Sequence, residues 1–456
     1  MKYPKEIIEI CQRLREHGNK AWLVGGSVRD SLMGREPKDW DLATNALPNE
    51  VIEIFDKVIP TGIKHGTVTV MMNGEGYEVT TLRGDGKYTD GRRPESVVYV
   101  QSIVEDLSRR DFTCNAIAFD PISNQMVDPF GGVNDISLGI LKAVGNPLDR
   151  FMEDGLRILR AARFAATLGF YISGETEFAM AHSAALETFS KVAIERVREE
   201  WMKAMKAEAP SVAFEIMLKA GMLDLVCPEL VALVDCEQND YHEYDVWRHT
   251  MVCLNKAPPE NPLLRMAALF HDIAKPAVRE WSEKKSNWTF IGHEKIGEEM
   301  TQEIMTRMKF SNAEIDYVSH LVRRHLIMYT PRWSKATIRR WIKKVGQDNI
   351  TDVLELATAD SRAKGNAKTS LQYTDARGLN HLRDRVAKVL EEKPPILVRD
   401  LAVNGHEIMS ELGLTPGPEI GKILKTLMGL TEEYPELNEK DILLEKARKV
   451  HERDKL

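Results

Sequence analysis

Asp39 and Asp41 are separated by one residue at the end of the run LVGGSVRDSLMGREPKDWDLAT, Leu23–Thr44. On a strand, residues so spaced point to one face. Two carboxylates on one face repel each other unless a cation lies between them. Oxygen ligands at that spacing suit Mg²⁺, which in turn binds phosphate oxygens. The turn Gly25–Gly26 ahead of a helix offers backbone N–H groups to the same phosphates. Glu78, in the alternating run YEVTTLR, is a third acid that strand pairing would bring beside the first two. Three acids holding two metals would activate an attacking 3′ hydroxyl and steady a leaving pyrophosphate. Isolated Asp-X-Asp pairs are mostly surface acids. The upstream glycine turn, with Arg29 and Asp30 between, is what sets this pair apart.

The run Leu23–Thr44 resembles the active-site element of the polymerase-β-like nucleotidyltransferases. More closely, the chain resembles the bacterial-type (class II) tRNA nucleotidyltransferases and their poly(A) polymerase relatives, with the family's further motifs following in order along nearly the whole length. The resemblance implies an α+β protein: a small head with a mixed sheet of about five strands, then an all-α neck, an HD-type body and a tail. In SRRDFTCNAIAFD, Arg109, Arg110 and Asp111 match an element implied to contact the ribose and phosphates of the incoming nucleotide. Adjacent arginines grip a triphosphate while an acid accepts from a sugar hydroxyl, which favours ribonucleotides. In DPFGGVND, Asp128 and Gly132 match an element that couples head and neck.

Glu153, Asp154 and Arg157, in MEDGLRILRAARFAATLGF, match the family's Glu-Asp-X-X-Arg element. On a continuous helix Asp154 and Arg157 share a face. A carboxylate accepts and a guanidinium donates, so the pair imitates the Watson–Crick edge of a base without a nucleic-acid template. Cytosine and adenine both set an exocyclic amine beside a ring-nitrogen acceptor. Uracil and guanine present a carbonyl to Asp154 instead. The ordinary alternative is a surface ion pair between Glu153 and Arg157. Arg160 and Arg163 continue the spacing as candidate phosphate contacts, and Glu195, Arg196 and Arg198 match a fifth element of structural character.

Within the family, poly(A) polymerases carry a basic stretch in the head that is absent from PTGIKHGTVTVMMNG, Pro60–Gly74. The loop Arg83–Val97, with Asp90, Arg92 and Arg93, resembles the loop needed to pass from C to A addition. Both features favour full CCA addition to tRNA from CTP and ATP, with Mg²⁺ in the head. The alternatives are a poly(A) polymerase or a CC- or A-adding member, or an HD phosphohydrolase with an RNA-binding head.

A second constellation lies downstream, in WRHTMVCLNKAP, LLRMAALFHDIAKP, FIGHEKIGEEM and LELATADSRAKG. A histidine, a His-Asp pair and a distant aspartate on helices form a ligand set for one or two divalent metals. The order resembles the HD phosphohydrolases, which identifies His249, His271, Asp272 and Asp360 as ligands and His293 as a possible further one. The resemblance implies a divalent transition metal of unspecified identity and phosphatase or 2′,3′-cyclic phosphodiesterase activity. Such chemistry would expose a 3′ hydroxyl on a damaged tRNA end.

The elements that must position these residues change character along the chain. Residues 5–17 have the apolar spacing of an amphipathic helix, and short strands alternate with helices up to about residue 149. Beyond it, helical periodicity dominates, with proline breaks near 207–211, 257–262 and 393–397. The expected division is a head over 1–149, a neck over 150–207, a body over 208–392 and a tail over 393–456. The turn Pro416–Gly417–Pro418 opens a tail helix whose Lys422 and Lys425 would meet the tRNA elbow.

Composition sets the compartment and the partners. A chain of 456 residues with 43% hydrophobic residues buries substantial cores. No run of about 18 apolar residues is present, which argues against a membrane span. The charged N-terminal stretch lacks the form of a secretion signal, and no obligatory protein partner is evident. Five scattered cysteines with no Cys-X-X-Cys pair fit a reducing cytoplasm. The net charge of −7 leaves RNA binding to local faces. One such stretch runs from Arg332 to Lys344, with Lys335, Arg339, Arg340 and Lys343 interleaved with Trp333 and Trp341; a solvated helix face is the competing reading.

Overall fold

The computed structural model describes residues 1–84, 98–365, 375–392 and 394–453. Asp90, Arg92 and Arg93 lie outside the described residues. The chain divides into two compact units, one of Met1–Val231 with Arg307–Lys309, the other of Ala232–Thr306 with Phe310–Leu456.

The first unit is built on a seven-stranded sheet. Its strands are β1 (Ala21–Val24), β2 (Asp41–Thr44), β3 (Val58–Gly62), β4 (Thr67–Met72), β5 (Glu75–Thr81), β6 (Ala118–Asp120) and β7 (Gln125–Val127). They lie in the order β3-β4-β5-β2-β1-β6-β7. Only β2 and β5 pair in parallel; every other neighbouring pair is antiparallel. Alternation along β1 feeds two cores. Ala21 and Leu23 pack with Ile7, Ile10 and Leu14 of helix α1 (Lys5–Glu16), while Trp22 and Val24 pack with Leu82, Ile103 and Leu107. The sheet exceeds the expected five strands because its edges carry little pattern: β3 and β7 are short and largely exposed.

Helices take over after the sheet. Helix α2 (Gly26–Leu32) follows the glycine turn and α3 (Ile103–Ser108) precedes the arginine pair. Helices α4 (Pro147–Glu153), α5 (Leu156–Leu168) and α6 (Ile194–Ala204) form the part that carries the base-reading residues. Helix α5 buries Ile158, Leu159, Ala161, Ala162 and Ala165, and α6 buries Val197, Trp201 and Ala204. A parallel two-residue pairing of Ile140–Leu141 with Tyr171–Ile172 closes this region.

Among the described residues the second unit is helical apart from one hairpin, Glu280–Ser282 with Asn287–Thr289, whose Trp281 and Trp288 meet edge to face at 5.2 Å. Its site is framed by α7 (Val246–Lys256), α8 (Pro262–Phe270), α9 (His293–Arg307), α10 (Asn312–Arg324) and α12 (Ile350–Ala363), with α11 (Lys335–Val345) between the last two. Helices α13 (Ala376–Glu391), α14 (Gly405–Leu412), α15 (Pro418–Glu433) and α16 (Lys440–Arg453) complete it. The last three close a small core of Ile408, Ile423, Leu427 and Leu443. Lys422 and Lys425 are exposed on α15. No helix among the described residues is long and apolar enough to cross a membrane.

Candidate active sites

In the first unit the parallel register of β2 and β5 sets Asp41 directly beside Glu78. Asp39 lies just before β2, in a bend, and is exposed, so it reaches the cluster from outside the strand rather than along its face. Burial, then the charge of Glu78, raise the Asp41 carboxyl above its ordinary range; Arg110 pulls the other way, and Asp39 adds a smaller push upward. Carboxylates gathered in this way form a donor set suited to a hard divalent cation. Gly25 turns the chain ahead of α2 with φ +71°, and a Cβ there would lie 3.0 Å from Arg110 Nη1. Only glycine satisfies both conditions.

Arg109 and Arg110 are held from behind by Asp106, an acid with no place in the sequence reading. Arg109 Nη2 donates to Asp106 Oδ1 at 2.8 Å and Arg110 Nη2 to Oδ2 at 3.1 Å. Burial opposes ionisation of Asp106, but the two guanidiniums outweigh it and lower its pKa. Asp111 is buried, with both carboxylate oxygens engaged. Oδ1 accepts from Phe112 N and Asn115 Nδ2, and Oδ2 from Arg160 Nη2 at 2.6 Å and Nε at 2.9 Å. Asn115 also accepts from Arg29 Nη1 at 2.6 Å, and Arg29 in turn holds Asp30. Arg163 Nε donates to Glu200 at 2.5 Å, and Arg160 lies 3.8 Å from the same carboxylate. A single polar chain therefore runs from the glycine turn through Arg29, Asn115, Asp111 and Arg160 to Glu200 on α6. The carboxylate of Asp128 caps the amides of Gly132 and Val133 at 2.7 and 3.0 Å.

The expected continuous helix through Asp154 and Arg157 is broken. Asp154 has extended backbone, φ −144° and ψ 103°, between α4 and α5. The break comes from Gly155, where a Cβ would sit 2.5 Å from Phe189 N and 2.6 Å from Phe189 Cα. Only a residue without a side chain lets the two backbones approach this closely. Arg157 Nη1 donates to Glu153 at 2.8 Å and to Arg150 O, and Nη2 to Arg109 O at 2.9 Å. The Glu153–Arg157 ion pair thus exists, and it fixes the guanidinium beside the residues of the arginine pair. Asp154 accepts from Arg196.

In the second unit, His249, His271 and Asp272 converge, their ligand atoms within 4.8 Å of one another, as do Asp272, His293 and His325. Each of the four imidazoles sets Nδ1 on a backbone carbonyl: Ala363, Ala268, Phe290 and Val322. That contact assigns the proton to Nδ1 and leaves the Nε2 lone pair facing inward. His249 and His271 oppose Nε2 to Nε2 at 3.2 Å, and His293 and His325 do so at 3.3 Å. Ring nitrogens opposed at such distances require a proton or a metal cation between them. Asp272 faces His271 and His249 with Oδ2, at 3.1 and 3.5 Å, and His293 and His325 with Oδ1, at 3.5 and 4.0 Å. Asp360 completes the first group, 3.0 Å from His249 Nε2. His325 and His242 went unnoticed in the sequence, since neither adjoins a patterned neighbour; His242 packs edge-on to His249 at 5.0 Å. Lys275 Nζ lies 2.6 Å from Asp272. The centre opens into a cavity of about 970 Å³ lined by Lys275, Lys364, Trp288 and Met328.

Half of the basic stretch is committed to internal contacts. Lys335 pairs with Glu392 and Lys343 with Glu432, and the buried Arg339 donates to the carbonyls of Glu432 and Glu433 at the end of α15. Arg332, Arg340 and Lys344 are exposed with no partner among the described residues.

Comparison with known proteins agrees with this anatomy. Residues 21–142 match the poly A polymerase head domain, 169–233 the probable RNA and SrmB-binding site of polymerase A, and 240–365 the HD domain. The CCA-adding enzyme of Bacillus stearothermophilus, solved in complex with CTP, superposes with a TM-score of 0.76 at 27% identity over 100% of both chains. That of Thermotoga maritima, solved with tRNA, shares the fold with a TM-score of 0.60 at 19% identity, over 98% of this chain and 96% of that one. The CCA-adding enzyme of Ligilactobacillus salivarius is 32% identical over 98% of this chain and 97% of its own length, and that of Lactiplantibacillus plantarum 31% over 97% and 95%. With such identity sustained along almost the whole of both chains, this chain belongs to the family of CCA-adding enzymes.

Proposed function

We propose that this chain adds and repairs the 3′-terminal CCA of tRNA, drawing on CTP and ATP without a nucleic-acid template. The observation that carries the reading is the pairing of Asp41 with Glu78 in register, with Asp39 adjoining. Asp39, Asp41 and Glu78 would hold Mg²⁺. Bound there, the ion would ease ionisation of the attacking 3′ hydroxyl and neutralise the departing pyrophosphate. Arg109 and Arg110, backed by Asp106, would bind the triphosphate beside Gly25 and Gly26. Asp154 would accept from the exocyclic amine of cytosine or adenine while Arg157 donates to the ring nitrogen. Arg157 has the hydrogens for it: its Nε and one hydrogen on Nη2 have no partner among the described residues. The division into head, neck, body and tail, with the tail meeting tRNA, belongs to the same reading. So does a cytoplasmic location, which the five buried free thiols suit.

The second unit supports an auxiliary phosphohydrolase acting on phosphorylated or 2′,3′-cyclic tRNA ends. His249, His271, Asp272 and Asp360 would hold one divalent transition metal, and His293 and His325 a second, with Asp272 shared between them. Imidazole and carboxylate donors suit such ions. Metals there would supply an activated water. Lys275 and Lys364, on the cavity wall, would meet the phosphate.

Sequencing of products from a tRNA lacking CCA, incubated with Mg²⁺ and all four NTPs, tests the main reading. Ends that stop at CCA support it; long adenine runs or ends stopping at CC overturn it. A tRNA ending in a 2′,3′-cyclic phosphate tests the second activity. Extension that is lost in Asp272→Asn, while a 3′-hydroxyl substrate is still extended, assigns end repair to the second unit. Equal extension of both substrates by that variant rules it out.

A further inference from the structure

Asp154 stands outside both flanking helices, yet its carboxylate is fully oriented. Oδ1 accepts from Leu156 N at 3.1 Å and from Arg196 Nη1 at 3.3 Å, while Oδ2 accepts from Arg196 Nη2 at 2.9 Å. An ionised carboxylate has about two acceptor positions on each oxygen. Those of Oδ1 are filled, and one on Oδ2 remains open. From this geometry we infer that Arg196 is a specificity-positioning residue: its fork fixes the plane of the Asp154 carboxylate and makes Oδ2 the oxygen that meets the exocyclic amine of the incoming base. The inference rests on the reading that Asp154 and Arg157 select the base.

Fixing the acceptor is what makes it selective. The terminal torsion of an aspartate has a broad, two-fold profile, so a carboxylate held only by the Leu156 amide would swing. A swinging acceptor turns away from the carbonyl of uracil or guanine and lets the wrong base in. Two parallel N–H···O bonds from one guanidinium prevent that rotation, whereas a lysine would supply charge without a plane. The arginine is itself anchored independently of the ion pair. Helix α6 is seated by Val197, Trp201 and Ala204, and its Glu200 holds Arg163 and Lys203. Side-chain exposures of 37% for Arg196 and 25% for Asp154 leave the pair open to a ligand.

The test is single-nucleotide addition to tRNA lacking CCA, with CTP or UTP, by the full chain and by Arg196→Gln, Arg196→Lys and Asp154→Ala. In Arg196→Gln the CTP-to-UTP ratio of kcat/KM should fall by about tenfold or more, the loss on the CTP side lying mainly in KM. Arg196→Lys should recover little of it. A merely structural role would lower both nucleotides together, and an unchanged ratio in Arg196→Gln overturns the inference. If that variant does not fold, an unchanged ratio in Arg196→Lys overturns it equally, since the lysine keeps the charge and lacks the fork. An unchanged ratio in Asp154→Ala would instead sink the base-selection reading on which it stands.

Discussion

Asp111→Asn should lower the stability of the first unit and weaken its dependence on acid. Asp111 is 8% exposed, and its Oδ2 accepts from both Nε and Nη2 along one edge of the Arg160 guanidinium. Burial alone would raise its pKa, but Arg160 and the Asn115 amide outweigh burial and bring it down to about 2. In an unfolded chain an aspartate titrates near ~3.9, so folding gains about 2–3 kcal/mol from this one ionisation. The folded pKa is the lower one. The contribution is therefore complete above pH ~5 and is lost as pH falls through ~4 towards 2. Asparagine cannot ionise and leaves Arg160 only the more distant Glu200. The variant should be less stable by about 3 kcal/mol at pH 7, a shift of roughly 6–12 °C for a unit of this size. At pH 3 about half of the ionisation's contribution is gone, and the gap between the two proteins should narrow accordingly. Calorimetric melting of the full chain at pH 7, 5 and 3 measures this directly. A gap that stays constant from pH 7 to 3 would refute the reasoning, because the ion pair would then contribute nothing through its proton.

Three further outcomes are expected. Gly155→Ala places a methyl group 2.5 Å from the Phe189 amide nitrogen, so backbone must move; at about 3 kcal/mol the melting temperature should drop by roughly 6–12 °C, and a shift under about 1 °C would contradict the packing argument. His325→Ala should lower the transition metal retained by the purified protein from about two ions per chain to one by elemental analysis, as expected for a shared-carboxylate pair; a wild-type protein that never exceeds one ion counts against the second group. Arg339→Met removes the donor that satisfies the last carbonyls of α15, at about 1–3 kcal/mol, and hydrogen exchange over residues 428–437 should quicken. Unchanged protection there would show that the buried guanidinium is not what holds the helix end.

Legibility in the sequence follows the range over which each residue finds its partners. Asp41 and Glu78 could be paired from strand character alone, and the parallel register of β2 with β5 puts them side by side; Asp39 joins them from a bend before β2, which strand alternation does not describe. His271 and Asp272 are contiguous in sequence, so their joint role is visible without a fold. Asp106, Glu200 and Arg196 are different. Nothing in VEDLSRR separates Asp106 from an ordinary helix-end acid; its function arises because both succeeding arginines turn back onto it. Arg196 reaches Asp154 across 42 positions, a distance no local period encodes. The break at Asp154 was hidden for a related reason: helical spacing continues through MEDGLRILR, and Gly155 looks like a tolerated glycine until the Phe189 backbone is seen against it. The basic stretch stays ambiguous for a similar reason, because its spacing is the same whether the charges face RNA, solvent or, as for Lys335, Arg339 and Lys343, other parts of the same unit.

The buried and half-buried acids sort into two kinds by what surrounds them, and the sorting assigns their work. Asp106, Asp111 and Glu200 are each met by guanidinium donors, and in each those charges outweigh burial, so the carboxyl stays ionised and its oxygens are occupied. Acids in that state orient arginines; they have little left to offer a ligand. Asp41 has the reverse setting, a raised carboxyl with other acids as its main neighbours and no direct hydrogen-bond donor among the described residues. Such a group is poor at holding the fold together and well suited to a cation that arrives with the substrate. Asp272 stands between the two kinds: Lys275 meets one oxygen, yet four imidazole nitrogens with inward lone pairs surround it. Asp154 also stands between, with one oxygen filled and one left open, which is the condition a base-reading acceptor requires. The arginines of this chain thus do as much to decide which carboxylates are free to react or recognise as they do to bind phosphate themselves.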